Sequence, residues 1–86
     1  MYTLLVYDVE SRRTVKCLKI CRRYLNWIQN SVFEGELTDA QLAAMKAELG
    51  QVMEDSDSVI MFHSREAKWL KREVLGEERV DLDTFL

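Results

Sequence analysis

Only a handful of the 86 residues carry side chains suited to chemistry, and their types narrow what that chemistry is. Asp8 is the first carboxylate of the chain and stands at the end of an apolar run. From the residues alone it has two readings: it ends a strand and caps the turn that follows, or it offers a hard oxygen to a divalent cation. One carboxylate falls short of a Mg²⁺ site, because the ion takes about six oxygen ligands and combines one or two carboxylates with water and phosphate. Glu34 and Glu36 share one side of an extended segment, but a general acid/base pair needs a pocket and a shifted pKa, so a face toward solvent or a partner protein is the simpler assignment. His63, the sole histidine, has no Cys/His ligand set and reads as an exposed or hydrogen-bonded strand residue. Cys17 and Cys21 are spaced C-x-x-x-C, neither the four-ligand pattern of structural zinc nor a C-x-x-C redox centre, and read as small buried side chains. Trp27 and Trp69 read as core or interface aromatics rather than stacking platforms.

Charge adds a second kind of site. The net charge is −3, from 12 Lys and Arg against 15 Asp and Glu, but the signs are segregated. No acid occurs between Glu10 and Glu34, an interval that holds Arg12, Arg13, Lys16, Lys19, Arg22 and Arg23. Arg12, Lys16, Lys19 and Arg23 recur at i, i+4, i+7 and i+11, which places them on one solvent-facing side of a helix. Cations so spaced suit the phosphates of a nucleic-acid backbone, contacts that position a duplex without reading its sequence.

Elements must hold these residues in place. Tyr2 to Val9 is rich in β-formers and reads as a buried strand. From Arg12 to Gln29 the apolar residues Cys17, Leu18, Cys21, Tyr24, Leu25 and Ile28 keep one helical stripe. Ser31 to Leu37 predicts a strand with Phe33, Gly35 and Leu37 on one face, and Gly35 marks a bulge or a close backbone approach. Thr38 and Gln41 form a capping box ahead of a helix running to about Met53, weakened at Gly50. Glu54 to Asp57 is a polar break. Ser58 to Ser64 then predicts a third strand, Arg65 to Lys71 a turn or short helix, and Arg72 to Gly76 a fourth strand, giving the order β-α-β-α-β-β. The 77–86 tail has an apolar alternation that a second copy's sheet edge would bury. With 48% apolar and 31% charged residues, 1–86 reads as one globular domain whose small size favours pairing with another copy. No signal-like segment follows Met1 and no apolar run reaches membrane-spanning length, so a cytoplasmic protein with no membrane association is expected.

Four stretches in this order, V-Y-D-V at 6–9, I-Q-N-S-V-F-E-G-E-L at 28–37, D-S-V-I at 57–60 and R-E-V-L-G at 72–76, resemble the CRISPR-associated Cas-two family along nearly the whole chain. The resemblance implies an α+β, ferredoxin-like (βαββαβ) sandwich with an extra C-terminal strand, arranged as a homodimer. The family order differs from the segmentation above by one strand near 31–37. It also implies a Mg²⁺-dependent (or Mn²⁺-dependent) endonuclease acting on RNA or DNA, and a partner of the Cas-one integrase in spacer acquisition. Asp8 matches the family's metal-binding and catalytic aspartate, shared across the dimer axis, where a two-fold interface would supply two copies of one carboxylate. Tyr7 and Phe33 match positions near a base or ribose, Ser31 a phosphate contact, and Arg12 and Arg13 the loop arginines. Trp27 stands where some members carry arginine, which weakens the case for efficient ribonuclease activity. Two functions follow: an adapter that lays duplex DNA along Arg12, Arg13, Lys16, Lys19 and Arg23, with metal-dependent hydrolysis as a retained capability, or primarily a stand-alone Mg²⁺-dependent endoribonuclease or DNase. An RNA-binding sheet of the RRM kind is set aside because its aromatic signature is missing.

Overall fold

Alternation of buried and open side chains organises the first strand. β1 (Tyr2–Asp8) turns Thr3, Leu5 and Tyr7 inward and ends at an exposed Asp8. The computed structural model describes residues 1–66 and 71–78. Within them β1 is followed by α1 (Ser11–Tyr24), β2 (Asn26–Gln29), β3 (Val32–Glu36), α2 (Asp39–Val52) and β4 (Ser58–Ser64). The strands form one antiparallel sheet in the order β2-β3-β1-β4, with Leu5 opposite Phe33 on one side and Met61 on the other.

This order corrects the segmentation read from periodicity. α1 stops at Tyr24, and Leu25 beyond it is extended, with φ −128° and ψ 166°. Leu25 and Ile28 keep the helical spacing, but Leu25 caps the helix and Ile28 lies in β2. The missing strand is therefore hidden at the end of the helical stripe, and the order is β-α-β-β-α-β. Gly35 lies close to the exit from α1: a Cβ there would sit 3.3 Å from Leu25 Cδ2 and 3.7 Å from Leu25 Cα, in keeping with the close-approach reading of this glycine. The register irregularity lies in β2 between Trp27 and Gln29, not at Gly35. Residues 72–76, expected to be a strand, join no ladder among the described residues, and Gly76 has φ +89°. Trp69, part of the 65–71 turn and residues 79–86 of the tail lie outside the described residues.

α2 begins where its capping box predicts. Gln41 N donates to Thr38 Oγ1 at 3.1 Å and Thr38 N donates to Gln41 Oε1 at 2.9 Å, so each residue satisfies the other's backbone donor. Gly50 does not end the helix, which runs on to Val52. Both helices pack on the same face of the sheet, where Leu5, Phe33, Leu37, Cys17, Cys21, Met45 and Leu49 are buried together. Among the described residues no helix covers the opposite face. It presents Leu4, Val6, Val32, Ile60 and Phe62, the last two 55% and 60% exposed. No described helix is long and apolar enough to cross a membrane.

Because the Thr38 hydroxyl is the acceptor for Gln41 N, Thr38→Ala should lower unfolding free energy by about 1 kcal/mol, read as a lower urea midpoint at unchanged m-value.

Candidate metal and nucleic acid interface

β1 carries Asp8 to the rim of the open face, in register with Ser58 of β4. Its carboxylate is exposed and makes no hydrogen bond or ion pair with the described residues. Ser31 lies at the same end of the sheet, in the β2–β3 turn, where its carbonyl accepts from Tyr7 N at 3.2 Å. The turn is held by Asn30 in the left-handed region, φ 44°, and by Trp27 Nε1 donating to the Asn30 carbonyl at 2.9 Å. Trp27 is thus half-buried and packed against the core, as expected of a structural aromatic.

Tyr7 and Phe33 do not share that rim. Strand alternation sends both to the helix-covered side, where their rings stack at 6.0 Å and are 6% and 0% exposed. Burial, with the nearby Cys21 and Cys17, raises the Tyr7 phenol. The expected contacts of these rings with a base or ribose are therefore corrected to core packing. Cys17 and Cys21 are free and fully buried, as expected, and burial pushes the Cys21 thiol up to about 12.

The six cations divide. Arg12, Lys16, Lys19 and Arg23 are exposed along α1, as their spacing predicts. Lys16 and Lys19 make no ion pair with described residues, Arg12 meets Glu10 at 3.0 Å and Glu54 at 3.2 Å, and Arg23 meets Glu48 at 2.6 Å. Arg13 leaves the row. It sits at i−4 from Cys17, on the apolar side of the helix, and its side chain is 7% exposed. Its Nε and Nη2 donate to Asp57 at 2.6 and 2.9 Å, and Glu10 and Glu54 each approach the guanidinium at 3.0 Å. A phosphate role for Arg13 is corrected to an internal ion pair.

Asp57 is the residue that sequence reasoning missed: it stands in the polar break and opens the D-S-V-I stretch, with no role assigned to its side chain. The available signal was Arg13 itself: a cation on an apolar helical stripe needs a buried counter-charge. The Arg13 guanidinium, with the Glu54 and Glu10 amides, holds the Asp57 carboxyl well below the usual range, and Asp57 in turn raises Arg13. Glu34 and Glu36 form no catalytic pair. Glu34 accepts from the Tyr2 hydroxyl and meets Arg72 at 3.0 Å, while Glu36 meets the N-terminal ammonium at 3.1 Å. Burial and Glu34 push the Tyr2 phenol up to about 12. His63 is an exposed strand residue whose Nδ1 lies 2.9 Å from Thr3 Oγ1.

Among the described residues no three His, Cys, Asp or Glu side chains converge on a metal position. At the end of β1 one chain offers a hard cation the unpaired carboxylate of Asp8. Its oxygen chemistry fits Mg²⁺ or Mn²⁺, and its number fits only if a second copy supplies another.

A one-sided α+β domain, with basic residues along its first helix and a free aspartate at the rim of its bare sheet face, is the class these features define. The chain belongs to the family of CRISPR associated protein Cas2, whose model matches residues 1–72. It is 46% identical over 80 residues to a CRISPR-associated endoribonuclease Cas2 of Dictyoglomus turgidum, covering 92% of each chain. It is 42% identical over 87 residues to the protein of that name in Methanosarcina acetivorans, covering all of both. Among solved structures, a cas2 crystal structure superposes with a TM-score of 0.86 at 37% identity, covering 94% of this chain and 92% of that one. Streptococcus pyogenes Cas2 superposes with a TM-score of 0.75 at 30% identity, covering 88% and 100%.

The Arg13–Asp57 pair has a signature in acid. A carboxyl whose folded pKa lies below its ordinary 3.8 contributes stability that is complete above that value and drains as pH falls beneath it, because the unfolded chain then binds the proton and the folded chain does not. The urea midpoint should hold steady down to about pH 5 and then fall. Asp57→Asn should be less stable at neutral pH, with a shallower acid fall.

Proposed function

We propose that two copies of this chain pair about a two-fold axis through the open faces of their sheets, and that the dimer serves CRISPR spacer acquisition as the adapter of the Cas-one integrase. The strand order β2-β3-β1-β4 with two helices on one face supports a ferredoxin-like assignment. A bare face holding Ile60 and Phe62 supports pairing, since such a patch gains by being removed from water. The observation that carries the adapter reading is the exposed row on α1, with Lys16 and Lys19 uncommitted to any described carboxylate. Duplex DNA would lie along this row in each copy, held through its phosphates irrespective of sequence. The working compartment is the cytoplasm.

Metal-dependent hydrolysis of RNA or DNA is the second reading, favoured by the free carboxylate of Asp8. Asp8 from each of two copies would hold the ion, and Ser31, at the same end of the sheet, would contact a phosphate. Bound Mg²⁺ supplies positive charge that polarises a phosphoryl oxygen and acidifies water. The chain's own contribution is to hold the carboxylate at a strand end, with its backbone fixed by the β1–β4 ladder.

Two measurements test these readings. Lys16→Gln with Lys19→Gln should weaken duplex DNA binding and reduce the slope of log K against log salt by about 0.9 for each phosphate no longer neutralised, and an unchanged slope would refute the DNA path along α1. Asp8→Ala should abolish metal-dependent cleavage while leaving duplex binding and spacer acquisition in place. Loss of acquisition in a folded, integrase-binding variant would refute the pure adapter.

A further inference from the structure

Arg13 and Asp57 form the most enclosed ion pair among the described residues. Ion pairs this enclosed, 7% and 1% exposed, are commonly replaceable by apolar residues at no loss of stability, so their presence asks what the pair positions. Asp57 spends all its acceptor capacity on one structure. Its Oδ1 accepts from Glu10 N at 3.1 Å and Arg13 Nη2 at 2.9 Å, and its Oδ2 accepts from Arg13 Nε at 2.6 Å and Glu54 N at 2.9 Å. Three chain segments therefore meet at one carboxylate: the link from β1 to α1, the first turn of α1, and the turn that leads into β4.

Asp8 lies inside this closure. Glu10, whose amide is bound, is two residues beyond it, and Ser58, which faces it across the β1–β4 ladder, is the residue next to Asp57. The backbone of Asp8 is thus paired with Ser58 in the ladder, and two residues beyond it the Glu10 amide is held by the Asp57 carboxylate. Glu10 and Glu54 lie near the guanidinium at 3.0 Å and so are drawn toward Arg13. Asp8, at the strand end, has no described cation to hold it, and Asp55, which also has none, belongs to the turn rather than to the ladder.

We propose that Arg13 and Asp57 are positioning residues for Asp8, fixing the strand end so that its carboxylate is presented to a divalent cation and keeping Glu10 and Glu54 occupied. The proposal rests on the metal-binding reading of Asp8. It assigns Arg13 to the metal site through the backbone, with no contact to nucleic acid.

The test uses the full chain and Mn²⁺ as probe, read two ways: binding to the free protein by electron paramagnetic resonance, and the Mn²⁺ dependence of phosphodiester cleavage. Asp57→Asn, studied at a temperature where circular dichroism shows it folded and sedimentation shows the wild-type assembly, should raise both the Mn²⁺ dissociation constant and the half-saturating Mn²⁺ for cleavage by roughly 10- to 100-fold. Its rate at saturating Mn²⁺ should stay within a few-fold of wild type, a split that mere loss of folded protein would not produce. Arg13→Lys, which keeps the charge and loses the fork, should fall between, and it replaces Asp57→Asn as the deciding variant if that protein does not fold. Unchanged Mn²⁺ binding in the deciding variant, with binding abolished in Asp8→Ala, would overturn the positioning role alone. Unchanged Mn²⁺ binding in Asp8→Ala would overturn the metal-site reading, and the proposal with it.

Discussion

Two helices of fourteen residues each can shield only one face of a four-stranded sheet, and much of this molecule follows from that limit. The shielded face takes the side chains that cannot tolerate water: Leu5, Phe33, Met45 and the two cysteines are all at zero exposure. The unshielded face keeps an apolar character, with Ile60 and Phe62 more than half exposed. Strand alternation then decides the fate of adjacent residues. Tyr7 goes into the core and Asp8 to the rim, one residue apart in sequence and on opposite sides of the sheet. A chemistry that depends on Asp8 is consequently located on the face that neither helix covers.

The same one-sidedness shapes α1. Its inward side supplies Cys17, Ile20 and Cys21 to the core, and its outward side is left to cations. Arg13 is the exception, a charge on the inward side, and the turn before β4 closes around it. The second charged network lies over the open face, where Glu34 accepts from Tyr2 and pairs with Arg72, which also meets Glu78 at 2.7 Å. Residues 71–75 thereby line one cavity with Tyr2, Leu4, Asn26 and Ile28, and join no ladder among the described residues.

How much of this was legible in the sequence depends on how locally each feature is encoded. Thr38 and Gln41 announced α2 because a capping box is an interaction between residues three apart, and the spacing of Arg12, Lys16, Lys19 and Arg23 announced the exposed side of α1. β2 was not legible: its four residues follow the helix directly, and Leu25 and Ile28 continue the helical period, so only the tertiary approach of Leu25 to Gly35 separates strand from helix. Family likeness pointed to Asp8 and Ser31, which the fold places at one end of the sheet, and also to Tyr7, Phe33 and Arg13, which it turns inward, because a matched motif does not reveal which way a side chain turns. Arg13 on the apolar stripe signalled a buried counter-charge, but not which one, because Asp57 lies 44 residues away.

Cys17 and Cys21 sit one turn apart, wholly enclosed, with the Cys21 thiol pushed far from ionising. Only the thiolate attacks alkylating reagents or disulfides, and here neither sulfur meets solvent unless α1 lifts from the sheet. Their rate of modification therefore clocks the opening of the helix layer, giving the molecule an intrinsic reporter of its breathing that needs no added label.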